Sequence, residues 1–578
     1  MKKNILLFLI LFIFATRLFS QSVAINTDGS AANTSSILDI KSINKGLLIP
    51  RMTSVQRTAI ATPAKGLMVF DITTNSFWFH SGSAWAQLSG GSNGWNLTGN
   101  AGTNPAANFI GTTDAQPLRF RVNNLWAGEI HPTSGNVFLG LGAGQSNTTG
   151  DGNTANGYHA LYSTTTGDQN TAYGFNALYS NTTGIANTAT GWALIRNTTG
   201  NFNTANGQGT LSQNTTGNDN TAMGVDALNG NTTASQNTGI GNNALYTQSF
   251  SNGGTAWISG NTAVGYAALS ANQPTTTSDG INNTAVGNLA LAANTNGYDN
   301  TGIGVTALYS NITGYENTAT GRQSLFFNTT GSDNTGTGYK ALRNTNTGYE
   351  NSADGVYALF SNTSGFDNTA TGAYALYGNI TGDGNTGLGF LADVSNGNLK
   401  NATAIGNNAL ADASNKVRIG DQRVTSIGGQ VGWTSFSDGR YKKNIKEDVK
   451  GLSFINSLRP ITYTVDINGL NEHYDKQRKY DSSYEKVKAS MKSSADEAAK
   501  IVYNGFIAQD VAKAAQSIGY NFSGVDKPQT KDGLYGLRYS DFVVPLVKAM
   551  QEQQVIIEEL KKQMTEMKIE MELLKNKN

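Results

Sequence analysis

Asn170-Thr171-Ala172-Tyr173-Gly174-Phe175-Asn176-Ala177-Leu178-Tyr179-Ser180-Asn181-Thr182-Thr183-Gly184 is one full copy of a motif that fills the middle of the chain. Asn-Thr-Ala/Gly-x-Gly, or a near variant, recurs from Asn153 through Asn170, Asn187, Asn203 and Asn220 to Asn385, mostly at a period of 17, and a degenerate copy begins near Asn401. No run within a copy is long enough for a helix. Large apolar residues are too few for a core of its own, so each unit has to be buried by its neighbours. A period this short fits one turn of a β-solenoid, with coils stacked at about 4.8 Å into a shaft of about 70 Å. Ala and Gly then fill a narrow interior, and Leu178, Leu194, Leu228, Leu245, Leu308, Leu342, Leu359 and Leu376 form an apolar ladder. The repeated Asn forms a polar ladder whose amides bond from coil to coil. The glycine after each Thr-Thr is expected to supply a turn. A disordered linker would not need Ala-Leu in register.

Two copies are stretched, by residues 247–260 and 271–281, and these insertions are expected to protrude as loops, with Phe250 and Trp257 as the ligand contact. Asp219, Asp299, Asp333 and Asp367 recur at one repeat position, which marks turn residues facing solvent rather than the general acids of a hydrolase.

Upstream, residues 89–139 form a bridge. It opens on the Ser/Gly-rich run 89–94, which marks a boundary, and its later apolar and basic alternation predicts a small β module. Residues 21–88 carry short apolar runs punctuated by Gly, Pro and Asn, a strand pattern with one short helix predicted between Thr53 and Ala61. Phe77, Trp78, Phe79 and Trp85 are expected to pack a strand core at a trimer axis rather than to stack on sugars. This layout resembles the N-terminal part of secreted bacterial fibre-like proteins. Met1-Lys2-Lys3, the apolar run from Ile5 to Phe14 and Leu18-Phe19-Ser20 form a secretory signal over 1–20. The expected localisation is secreted or cell-surface, with no transmembrane segment in the mature chain.

Downstream, residues 411–436 lead out of the repeats, and composition then changes abruptly at Trp433-Thr434-Ser435-Phe436-Ser437-Asp438-Gly439-Arg440-Tyr441-Lys442-Lys443-Asn444-Ile445. Ser437 and Lys442 form the chemically suggestive pair, because a serine hydroxyl becomes nucleophilic when a nearby base takes its proton. Beyond lie two β-rich pieces separated by a charged, solvated helical insertion at 471–500. At the end, Val543, Leu546, Met550, Gln553, Ile557, Leu560, Met564, Met567, Met571 and Leu574 alternate spacings of three and four, the seam of a coiled coil over 543–578.

Ser437-Asp438-x-Arg440-x-Lys442, then Ile445, Gly451-Leu452, Leu458-Arg459-Pro460 and Tyr463, and later Gly505-Phe506-Ile507-Ala508-Gln509-Asp510-Val511 and Tyr539-Ser540, resemble one family. It is the intramolecular chaperone auto-processing domain at the C-terminus of phage tailspike endosialidases and other trimeric fibres, and the likeness covers residues 437–550. The resemblance implies a module, bounded here as 437–542, that assembles a trimer and then cuts itself off before the motif serine. Carried over, the scissile bond joins Phe436 to Ser437, Ser437 is the essential serine, Lys442 is its base, and Asp438 and Arg440 support the motif. That makes the chain a self-cleaving serine peptidase with a Ser-Lys dyad, turning over once in cis. Direct attack and orientation of a water both fit. Gly439 departs from the family, which usually has a larger residue there. The repeats resemble the β-roll heads of trimeric autotransporter adhesins, whose period differs.

At 578 residues the chain is long enough for several domains, yet it is 38% hydrophobic and 14% charged with 67 Gly, which argues against one globular core. A net charge of +1 and the absence of a phosphate-cradling Gly-rich motif point away from nucleic acid. With no Cys and 4 scattered His, neither a disulfide framework nor a metal site is expected, and no cofactor. The expected fold is mainly β: an elongated trimeric β-solenoid or β-roll shaft over 140–410, a C-terminal α+β chaperone domain and a terminal coiled coil. The expected function is a secreted homotrimeric adhesin that processes itself, its partners being further copies of itself and a surface glycan or host ligand. The alternatives are a non-cleaving adhesin with an inactive processing domain and a tailspike-like glycan-hydrolysing fibre.

Overall fold

The computed structural model describes residues 22–88, 99–104, 106–476 and 483–577, in two compact units, Met1–Gly111 and Thr112–Asn578. The predicted secretory signal and the Ser/Gly-rich boundary at 89–94 lie outside the described residues.

In the first unit, Arg51–Met52, Met68–Asp71, Ser76–His80 and Trp85–Gln87 build a small sheet. The predicted helix is α1, Ser54–Thr58, opened by a capping box in which Thr53 and Gln56 satisfy each other's backbone N–H groups. α1 delivers Arg57 onto the fully buried Asp71, with Nε 2.9 Å from Oδ2, and the guanidinium lies 3.8 Å from the Trp78 ring centre and 5.5 Å from that of Trp85. Trp78 and Trp85 are thus committed to packing around a buried ion pair.

The second unit is a long β-solenoid. Each coil contributes a three-residue strand that pairs in parallel and in register with the next, as Thr171–Tyr173 does with Thr188–Thr190, matching Thr171 to Thr188 and Ala172 to Ala189. The central Ala is buried and its neighbours face outward, because alternate residues of a strand point to opposite faces. Leu178, Leu194, Leu228, Leu245, Leu308, Leu342, Leu359 and Leu376 stack with these alanines in one continuous core. The hairpin of Leu118–Val122 and Leu125–Ile130 does not stand apart as a bridging module. Through Val137–Leu139 it joins the same sheet, closing the shaft's first end by pairing with Thr154–Asn156.

There are two asparagine ladders. In the expected one, Asn187 donates from its backbone N (3.0 Å) and its Nδ2 (3.1 Å) to Asn170 Oδ1, and from Nδ2 to the Gly200 carbonyl at 2.8 Å. In the second, formed by the Asn of Asn-Thr-Thr-Gly, Asn197 Nδ2 donates to Asn181 Oδ1 at 2.8 Å and to the same Gly200 carbonyl at 2.9 Å. This crowding corrects the role of the Thr-Thr-Gly glycine. Its φ is ordinary, and a Cβ on Gly184 would sit 2.4 Å from Asn181 Oδ1 and 2.5 Å from the Gly200 carbonyl, so closeness and not turning excludes a side chain. The left-handed glycine is the one after the strand, Gly174, with φ of 129°.

The first insertion also departs from expectation. Trp257 is only 7% exposed, and Trp257–Ile258 pairs in parallel with Ala234–Ser235. The extra residues thus fold back as an added rung with Trp257 buried, which removes it as a ligand contact.

Past the shaft's last strand, Val417–Ile419, the chain runs without helix or strand to a 3-10 turn at Gly439–Tyr441. There follow α2 (Leu452–Ile455), α3 (Ile467–Asp475), α4 (Ser483–Ala498), α5 (Ala508–Ser517) and the long α6 (Val543–Lys575). Phe454, Val511, Ala515, Phe522 and Phe542 form the core of this module. The described parts of the charged insertion are helical, as predicted, but they are not merely solvated. Ala495 and Ala498 are buried with Ile467, and Met491 packs on the shaft cluster of Tyr374, Tyr377 and Leu391.

Candidate functional site

The motif serine and lysine meet. Lys442 Nζ donates to Ser437 Oγ at 2.8 Å, across a turn that places a spacing of five within reach. The turn is built by Asp438, whose Oδ1 accepts from the Arg440 backbone N at 2.9 Å and caps Gly439–Tyr441. The Arg440 side chain closes on the same carboxylate, with Nη2 2.6 Å from Oδ2. The Arg440 hydrogen bond, helped by the backbone N–H, holds Asp438 below the usual carboxylate range, and Asp438 in turn raises Arg440. Asp438 is therefore engaged by Arg440 and the turn, leaving Lys442 to the serine. Gly439 faces open space, so the turn does not require glycine there.

Ser437 and Lys442 are exposed in the protomer, and so are the apolar side chains around them, with Phe436 at 79% and Trp433 at 85%. The Phe436 ring lies 5.7 Å from that of Tyr441. Water thus reaches the dyad freely in a single chain. The seam residues of α6 from Val543 to Leu574 are likewise exposed, whereas Pro545 and Ala549 are buried.

The other motif residues hold the module together. Arg459 Nη2 lies 2.7 Å from Asp510 Oδ2, joining the Leu-Arg-Pro segment to α5. The Phe506 backbone N donates to the Tyr539 hydroxyl at 3.2 Å, and a Cβ on Gly505 would come within 2.3 Å of that oxygen, which explains Gly-Phe and the distant Tyr together. Glu552 on α6 accepts from the Leu452 backbone N at 2.7 Å and caps α2. The sequence offered no signal for Glu552, since it lies outside the seam and a hundred positions from its partner.

On the shaft, Asp219, Asp299, Asp333 and Asp367 all have left-handed backbone, φ 53–57°, as turn residues do. Glu316 and Glu350 hold the same position in intervening coils, and a hydrogen bond to the next carboxyl, Asp333 and Asp367 respectively, followed by like-charge repulsion, pushes both up. Aromatic residues also align coil over coil. Tyr349 and Phe366 stack 4.8 Å apart at 3°, and Phe360 and Tyr377 5.2 Å apart at 4°, so their inner faces are spent on one another. Among the described residues, no group of three or more acidic or histidine side chains is placed to hold a metal ion.

Compared with known families, residues 437–520 match the chaperone of endosialidase, and residues 24–103 match the phage tail like trimerisation region. No curated protein matches the chain. The two matches support a trimeric, tail-fibre-like protein with an intramolecular chaperone at its C-terminus.

Proposed function

We propose that the chain is a secreted, homotrimeric surface fibre of adhesive role, whose C-terminal module brings three chains together and then cuts itself away between Phe436 and Ser437. The observation that carries this is the 2.8 Å hydrogen bond between Lys442 Nζ and Ser437 Oγ immediately beside the bond to be cut. In its neutral form the Lys442 amine takes the hydroxyl proton, and Ser437 Oγ attacks the Phe436 carbonyl carbon. The acyl group passes from nitrogen to oxygen, the C–N bond breaks, and the Ser437 amine takes up the proton. Water then hydrolyses the ester, leaving a carboxylate on Phe436 and a free hydroxyl on Ser437.

Water reaches the pair in a lone protomer, and its exclusion is what assembly would add. Packing of α6 as a three-stranded coiled coil, and of the exposed Trp433, Phe436 and Ile445 between chains, would supply it, so cutting waits for assembly. Secretion rests on the apolar run after Met1-Lys2-Lys3. A surface glycan or host ligand is the proposed partner of the shaft, met by its polar rims because many of the aromatic rings stack on one another.

On a denaturing gel with intact-mass measurement, the unaltered protein is expected to yield a fragment beginning at Ser437. Ser437→Ala and Lys442→Ala stay full length and trimeric. A cut elsewhere, or an unprocessed trimer after prolonged incubation, would leave a chaperone without peptidase activity.

A further inference from the structure

Residues on the two sides of the bond between Phe436 and Ser437 hold one another independently of it. Lys416, just before the shaft's last strand, reaches Asp526 of the C-terminal module with Nζ 2.7 Å from Oδ2, and the two side chains are only 12% and 19% exposed. Each has a second partner on its own side: Asp412 lies 3.8 Å from Lys416, and Arg538 lies 3.6 Å from Asp526. A second contact lies along α4. There Met491 packs on Tyr374, Tyr377 and Leu391 of the shaft, and Arg423 Nη1 donates to Ser494 Oγ at 3.3 Å. Between these contacts the segment 424–437 is exposed at every residue, and a Cβ on Gly428 or Gly432 would meet nothing within 4 Å.

We propose that the C-terminal module remains latched to the last coils of the shaft after the chain is cut, through the Lys416 to Asp526 ion pair and the Met491 plug. A largely dry ion pair is screened little by salt, and reversing one partner sets like charges together at the contact. Met491, packed against the cluster of Tyr374, Tyr377 and Leu391, adds an apolar contact of a different kind. Two contacts on one folded module bind in concert, each holding the other at high effective concentration. Cutting and release are then separate events, and the Tyr374 and Tyr377 surface stays covered until the latch opens.

The inference rests on the proposed self-cleavage only for the place of the cut, so the test makes that cut by other means. A Ser437→Ala chain carrying a site-specific protease sequence in place of residues 428–434 is cleaved with that protease and passed over a sizing column. The two fragments are expected to co-elute. Asp526→Lys together with Met491→Asp should separate them, and so should the milder Asp526→Asn together with Met491→Ala. The milder pair decides the matter if Asp526→Lys misfolds, and its fragments still co-eluting would likewise overturn the latch. Fragments that part on cutting in the Ser437→Ala background overturn the latch, and so does co-elution undiminished in the Asp526→Lys, Met491→Asp chain. Self-cleavage is scored separately, by gel, on the unaltered chain.

Discussion

Leu178, Leu228 and Leu308 enter the shaft interior from left-handed backbone, with φ of 53°, 51° and 51°. That conformation costs an L-residue roughly 1–2 kcal/mol, while complete burial of a leucine contributes about 1.5–3 kcal/mol, so the apolar ladder outweighs the strain at each coil. Burial also sets the behaviour of Asp71. Burial alone would raise its carboxyl, but Arg57, Ser54 and the backbone N–H groups of Thr74 and Thr73 together bring it down to about 2. With an unfolded value of about 3.9, its contribution is complete above about pH 4 and is lost as pH falls toward 2. The Trp78 and Trp85 fluorescence of the N-terminal unit should therefore change over that window. Asp71→Asn should lower the unit's melting midpoint at neutral pH and flatten the acid transition, and an unchanged acid profile in the variant would refute the assignment. The turn role of Asp219 and Asp367 was legible in the sequence from their common repeat position. The left-handed leucines were not, because side-chain periodicity reports which residues face inward and says nothing about the backbone that takes them there.

At the scale of elements, the second asparagine ladder was hidden because Asn-Thr-Thr-Gly reads equally well as turn composition. Its interruptions now have a physical meaning. Where Thr164 and Thr345 replace Asn, Asn147 Oδ1, Thr164 Oγ1 and Asn328 Oδ1 are buried without a hydrogen-bond partner. Thr164→Asn and Thr345→Asn should complete the ladder and stabilise the shaft by about 1 kcal/mol each, whereas Asn197→Ala should cost about 1–3 kcal/mol by orphaning Asn181 Oδ1. Denaturant unfolding checks both signs, and a destabilised Thr164→Asn would show that the interruption fits its coil better than the ladder does. The helix α6, by contrast, was legible, since apolar residues at spacings of three and four over 543–574 need nothing beyond the local chain to mark a helix. Replacing Leu560 and Met564 by Asp should place charges between helices and prevent association. An unchanged mass by light scattering would count against the coiled coil.

At the scale of the whole molecule, the period of 17 was enough to place the shaft, and the ordered motifs from Ser437 to Tyr539 were enough to place the module. What the sequence could not convey is that they touch, because the ion pair of Lys416 with Asp526 and the packing of Met491 against the cluster of Tyr374, Tyr377 and Leu391 join residues of no shared pattern. The shaft core of Ala and Leu closes within one chain. Any dependence on the C-terminal module would therefore come not from an unfinished interior but from the ends and from the order of events. Parallel strands gain nothing until several coils have stacked, and the last rung, Val417–Ile419, presents an unpaired edge that aggregates if uncovered. Solenoids in general need capped ends to stay soluble. Chains ending at residue 436 should accordingly aggregate or remain unfolded when expressed. Chains that fold whole and are cut afterwards, by Ser437 or by an added protease, should stay soluble and rich in β-structure. Soluble, β-rich trimers from residues 21–436 expressed alone would remove the chaperone from the account. Aggregation in both cases would mean that the covalent link itself is needed, whereas the expected difference assigns the module to folding and to covering the last rung while it stays latched. Aggregation of the cut chain only when Asp526→Lys and Met491→Asp open the latch would make it a permanent cap.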